Sequence, residues 1–100
     1  MNILSIYLND VKQLCDSYKV RSLFAFGSVT TERFNANSDI DFIVDIADDD
    51  PLSYSDKYFD LKSRLEELFK RKIDLLEHKT IINPYLKARI DQTKVLVYGN

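Results

Sequence analysis

Leu23-Phe24-Ala25-Phe26-Gly27-Ser28, then ten residues, then Asp39-Ile40-Asp41-Phe42-Ile43-Val44-Asp45-Ile46: this stretch decides the fold. It reads as a strand, a glycine–serine turn, a short polar segment and a second strand that carries acids. Leu23 to Phe26 is apolar without interruption, the pattern of a strand covered on both faces. Gly27 breaks it. With no Cβ, its backbone lets a ligand come close. The Ser28 hydroxyl and the amides opening a following helix would make an anion site. Asp39 and Asp41 are two apart, so on a strand they share a face, while Ile40, Phe42 and Val44 point the other way, toward a core. Two adjacent carboxylates repel each other, and burial worsens the repulsion. A divalent cation relieves it, and hard oxygen ligands suit magnesium. The plainer reading is a helix-capping turn beside an exposed edge strand with solvated aspartates. It leaves unexplained why two acids share one face of so apolar a strand.

The 100 residues, 45% hydrophobic and 30% charged, describe one globular α/β domain spanning 1–100. Two glycines and two prolines leave little room for long loops. A net charge of −2 does not favour non-specific binding to nucleic acid. The charge is unevenly placed. Phe34 to Asp56 holds seven Asp and no Lys or Arg, whereas Lys57 to Lys72 holds six basic residues. Asp48, Asp49 and Asp50 read as a solvated acidic loop. A single Cys15 forms no internal disulfide, which fits a reducing compartment. The N-terminus lacks a signal-peptide pattern, and no stretch approaches the ~18 apolar residues of a membrane span. A cytoplasmic protein is expected.

Leu4, Tyr7, Val11, Leu14 and Tyr18 recur at helical spacing and predict one amphipathic helix over 3–18. A strand over 22–26 follows, then a short helix over 28–33 and a turn-rich link into a strand over 39–46. Ser53 with Asp56 marks a helix start. Tyr54, Tyr58, Leu61, Leu65 and Leu68 carry that helix to about Lys70 as a core stripe. Lys72–Glu77 is a third strand, with Asp74 on the face opposite Ile73 and Leu75. Asn83-Pro84 is an N-cap and first-turn proline, opening a helix to about Asp91. Lys94–Tyr98 closes the chain as a strand. Asp45 shares the parity of Asp39 and Asp41 but lies about 13 Å beyond Asp41 and farther from Asp39, a structural position. His78, the sole histidine, has no partner for a zinc site or a Ser-His-Asp set.

Gly27-Ser28, ten residues and Asp39-x-Asp41, set between two strands, resemble the signature of the polymerase-beta-like nucleotidyltransferase superfamily. The likeness covers essentially the whole chain and is to the minimal nucleotidyltransferase (MNT) branch. It implies a small mixed sheet flanked by helices, formed by the first three strands. It implies Mg2+, in two ions, with ATP as substrate and AMP transferred to a hydroxyl. Two metals about 3.5–4 Å apart need roughly three carboxylates. Asp39 and Asp41 supply two, and Asp74 matches the family's third acid. Asp74 would bind metal and accept the acceptor's proton, and Gly27 and Ser28 would hold the nucleotide. The alternative for Asp74 is an exposed strand-end acid.

MNT proteins pair with a HEPN-domain toxin and adenylylate a tyrosine on it, so such a partner is expected here, with homo-oligomerisation left open. Many family members carry an Arg-Gly pair after the serine. This chain has Val29-Thr-Thr-Glu-Arg33 there, and Arg33 either reaches a phosphate or faces solvent. The basic face around Lys57, Lys62 and Arg64 would orient the partner or the pyrophosphate. The competing reading is a non-catalytic module that binds nucleotide or silences its partner by contact alone.

Overall fold

The structure, a computed structural model, describes residues 2–99. Two short helices open the chain, α1 (Ile3–Ile6) and α2 (Leu8–Ser17). The single helix expected over 3–18 is broken at Tyr7, which sits at φ −104°, ψ 13°. The Asn2 side chain caps α1 by accepting from Leu4 N at 2.8 Å and Ser5 N at 3.3 Å.

Strand β1 (Val20–Phe26) leads into a one-turn 3-10 helix (Gly27–Thr30), shorter than the helix expected to reach Arg33. Strand β2 (Ile40–Ile46) is followed by α3 (Pro51–Phe69), the longest element. Its N-cap is Asp50, whose side chain accepts from Ser53 N at 3.2 Å, with Pro51 in the first turn. The start therefore lies ahead of the Ser53–Asp56 pair. Lys70 ends α3 in the left-handed conformation. Strand β3 (Ile73–Glu77), a second 3-10 turn (His78–Thr80), α4 (Pro84–Thr93) and β4 (Val95–Gly99) complete the chain. Asn83 caps α4 ahead of Pro84, as expected.

All four strands join one mixed sheet, in the order β3-β2-β1-β4. The sheet thus extends beyond the first three strands. β1 pairs antiparallel with both β2 and β4, and β2 pairs parallel with β3. The two central strands, β1 and β2, supply most of the sheet's buried side chains.

Helices α1, α2 and α3 cover one face. Val11, Cys15, Leu61 and Leu65 pack there on Leu23, Phe42 and Ile73, all at 1% exposure or less. Truncating Leu61 or Leu65 to Ala would cost about 2–5 kcal/mol. Burial, then the charge of Asp16, push the Cys15 thiol up to about 12, the behaviour of an inert core residue.

The other face is only half covered. Ile90 of α4 packs on Phe26 and Ile43, with Phe24, Leu76 and Leu86 around them. Asp41 and Asp74 sit on this second face, where α4 borders an open cavity.

Candidate active site

Three strand ends meet where the cavity opens. Phe26, the last residue of β1, pairs with Asp41. Asp41 pairs across the parallel ladder with Asp74. The alternation of β2 and β3 sends Phe42 and Leu75 into the main core, so the two acids must face the other way. Direct register then sets the two acids side by side.

Gly27 follows Phe26 at φ +73°, and a Cβ on it would stand 2.6 Å from Asp41 Oδ2. Only glycine takes that conformation cheaply and leaves room for the carboxyl. Its N–H donates to Thr93 Oγ1 at 3.0 Å, which ties the turn to the end of α4. Phe26, Gly27, Asp41, Asp74, Arg89 and Thr93 line a cavity of about 380 Å³. That volume lies in the range of small-ligand sites.

Electrostatics single out Asp41. Burial first, then the hydrogen-bonded Asp74 carboxyl and the charge of Asp39, push its carboxyl up to about 6, while Arg89 pulls it down. The donor chemistry fits a hard divalent cation, since two carboxylates on adjoining strands oppose each other in a partly dry site. Asp41 and Asp74 would hold such an ion directly.

Asp39 stands apart. It precedes the first ladder residue of β2, lies 3.9 Å from Lys72 Nζ, and is not among the cavity-lining residues. Among the described residues no three His, Cys, Asp or Glu side chains converge as a metal-holding group. The expected convergence of three carboxylates is therefore met by two in this conformation. Asp39 contributes its charge at longer range.

Ser28 is half-buried at the start of the 3-10 turn, and its carbonyl accepts from Thr31 N and Thr31 Oγ1 at 2.9 Å. Arg33 is exposed and outside the cavity lining. Asp45 is tied to Arg21 Nη1 at 3.0 Å, in keeping with a structural role. His78 is exposed just after β3.

The α3 cations lie away from the acid pair. α3 packs on the sheet face opposite the acids. Lys57 is engaged by Asp48 and Ser53 at the start of the helix. Asp48 is correspondingly held within that knot rather than solvated, its side chain only 13% exposed.

Three residues without a marked pattern prove to shape the site. Arg71 stacks on Phe34, 4.6 Å from its ring centroid, and donates to the carbonyls of Asn35 and Ser38 at 3.1 and 2.9 Å. This pins the loop that delivers Asp39. Arg89 and Thr93, one turn apart on α4, point into the cavity. Their only signal in the sequence is the i, i+4 spacing.

Residues 9–100 match the family model described as polymerase beta, nucleotidyltransferase. The chain belongs to that family. The nucleotidyltransferase is 37% identical over 86 residues to a Methanocaldococcus jannaschii protein provisionally named a protein adenylyltransferase, covering 86% of this chain and 85% of the relative. A toxin–antitoxin crystal structure with AMP-PNP has a chain that superposes with a TM-score of 0.72 at 22% identity, over 93% of this chain and 73% of that one. A chain of the complex between the tri-AMPylated Shewanella oneidensis HEPN toxin and its MNT antitoxin superposes with a TM-score of 0.67 at 19% identity, over 98% and 74%. At these identities the two structures share the fold.

Proposed function

We propose that this nucleotidyltransferase moves the AMP moiety of ATP onto a protein hydroxyl, a tyrosine of a HEPN-domain toxin, and so acts as that toxin's antitoxin. The observation that carries the reading is the Asp41–Asp74 pair, set side by side over Gly27 in an open cavity. The M. jannaschii relative's name supports protein as the acceptor class. The titles of the fold neighbours, which speak of AMP-PNP and of an AMPylated HEPN toxin, support nucleotide and partner. A cytoplasmic setting fits the free buried Cys15.

The acceptor oxygen attacks the α-phosphorus of ATP. The bond from that phosphorus to the α,β-bridging oxygen breaks, and pyrophosphate leaves with the electron pair. Asp74 takes the acceptor's proton. A tyrosine hydroxyl, with an unperturbed pKa near ~10, needs such a base or a metal at neutral pH. Asp41 and Asp74 would hold Mg2+, with Asp39 adding charge, and the ion would neutralise the phosphate oxygens as charge develops. Gly27 keeps the approach to Asp41 clear, and Ser28, the next residue, is not among the residues that line the cavity. The acceptor supplies its own surface, as a protein partner would.

The second reading, a contact-only antitoxin, draws on Asp39 standing apart from the acid pair. Co-expression with a HEPN-type partner separates the two. Mass spectrometry should find AMP on a partner tyrosine, and the adduct should vanish with Asp74→Asn. An unmodified partner that is still fully inhibited would establish the contact-only reading instead.

A further inference from the structure

We propose that Arg89 of α4 is the residue that binds the β- and γ-phosphates of the nucleotide, the place that an arginine soon after the serine would otherwise fill. The proposal rests on the nucleotidyl-transfer reading above.

Four observations converge on Arg89. First, among the described residues it is the only cation lining the cavity that holds Asp41 and Asp74. Two acids against one guanidinium leave that cavity unwelcoming to a triphosphate unless the guanidinium is available. It is available: among the described residues Arg89 is in none of the ion pairs within 4.0 Å. Second, Arg33 is exposed beyond the 3-10 turn and does not line the cavity. Third, the cations of α3 belong to the helical layer on the far face of the sheet, and Lys57 is held by Asp48. Fourth, the Gly27 N–H already donates to Thr93, which removes one amide from any phosphate cradle at the turn.

Arg89 is placed for this work. One turn before Thr93, it stands on the same side of a helix fixed by Ile90 in the second core. Its planar fork can grip two phosphate oxygens at once, which a lysine cannot.

The test is equilibrium binding of Mg–ATP, AMP and inorganic tripolyphosphate to wild type, Arg89→Gln, Arg89→Lys and Arg33→Gln. Arg89→Gln should weaken Mg–ATP and tripolyphosphate about tenfold or more and leave AMP within about twofold. Arg89→Lys should fall between, and Arg33→Gln should match wild type. A merely structural Arg89 would weaken AMP and ATP alike, and that result overturns the proposal. So does Arg89→Gln binding Mg–ATP as wild type does, which leaves the nucleotidyl-transfer reading standing. Wild type that binds no Mg–ATP sinks that reading and Arg89 with it.

Discussion

A methyl group on Gly27 would collide with the Asp41 carboxyl, 2.6 Å from its Oδ2. Gly27→Ala therefore faces two costs: the left-handed backbone at φ +73° and the overlap with Asp41. The first alone is about 1–2 kcal/mol. The second should fade when Asp41 is also shortened. We expect Gly27→Ala to lower stability by about 1–3 kcal/mol and to cost less in an Asp41→Ala background. Denaturant midpoints for the four proteins check this. Strictly additive costs would show that the overlap is relieved elsewhere.

The raised Asp41 carboxyl gives a pH dependence with a definite sign. Its folded pKa, about 6, lies above the ordinary carboxylate value. The folded protein holds this proton more tightly than the unfolded chain does. The contribution is therefore fully present below the unfolded pKa and is lost as pH rises through about 6. Asp41→Asn mimics the protonated form at every pH. Without metal, the variant should match wild type in melting temperature near pH 4 and exceed it above pH 6. A variant less stable than wild type at pH 7 would mean that the Asp41 charge supports the fold.

The sheet's central pair was legible because apolar runs and the alternation of Ile40, Phe42 and Val44 are local properties of a strand. The same parity placed Asp41 and Asp74 on one face. Their meeting also needed the parallel register of β2 on β3, which no local pattern states. The break at Tyr7 leaves the three-and-four spacing of apolar residues intact, so periodicity reads through it. At α3 a signal was present and outranked: Asp50-Pro51 is a cap followed by a first-turn proline, and it lies ahead of the Ser53–Asp56 pair. Arg89 and Thr93 reach the acids only through the docking of α4, a long-range event. The charge run misled at Asp48, whose pairing with Lys57 nine residues on ties one end of an apparent solvated loop into a structural knot.

That knot makes its own prediction. Asp48 accepts from Lys57 and Ser53 side chains and from Asp50 N, and these hold its carboxyl well below the usual carboxylate range. A depressed folded pKa contributes stability above the unfolded pKa, which is lost as pH falls through and below it. Lys57→Met should lower the melting temperature at pH 7 and flatten the loss of stability on acidification. Partner binding, measured below the melting transition, should be unchanged. Weakened binding by a fully folded Lys57→Met protein would restore this residue to a docking face.

Metal affinity should depend on nucleotide. Two carboxyls, Asp41 and Asp74, offer too few ligands for an octahedral ion, while phosphate oxygens complete the shell. Titration calorimetry should show weak Mg2+ or Mn2+ binding alone and stronger binding with ATP present. Tight binding of either ion without nucleotide would count against this geometry, as would indifference to Asp41→Asn.

The division of labour between the paired acids yields the last prediction. Asp41 lies over Gly27 and faces the turn, whereas Asp74 sits one strand farther out, toward the edge of the sheet where an acceptor can approach. Both acids belong to the cavity, but only Asp74 is assigned the acceptor's proton. Removing its basicity should then cost the transition state more than the ground state. Asp74→Asn should retain Mg–ATP binding within about fivefold while transfer to the partner tyrosine falls by about 10²–10⁴, the usual worth of a positioned base. Raising the pH should recover part of that loss, because a tyrosine that ionises by itself, near a pKa of ~10, no longer needs the carboxylate. Binding and single-turnover transfer measured from pH 7 to pH 9 separate the two effects. A loss of ATP binding as large as the loss of transfer would make Asp74 a nucleotide or metal ligand only. A loss of transfer that does not shrink with pH would place the base elsewhere.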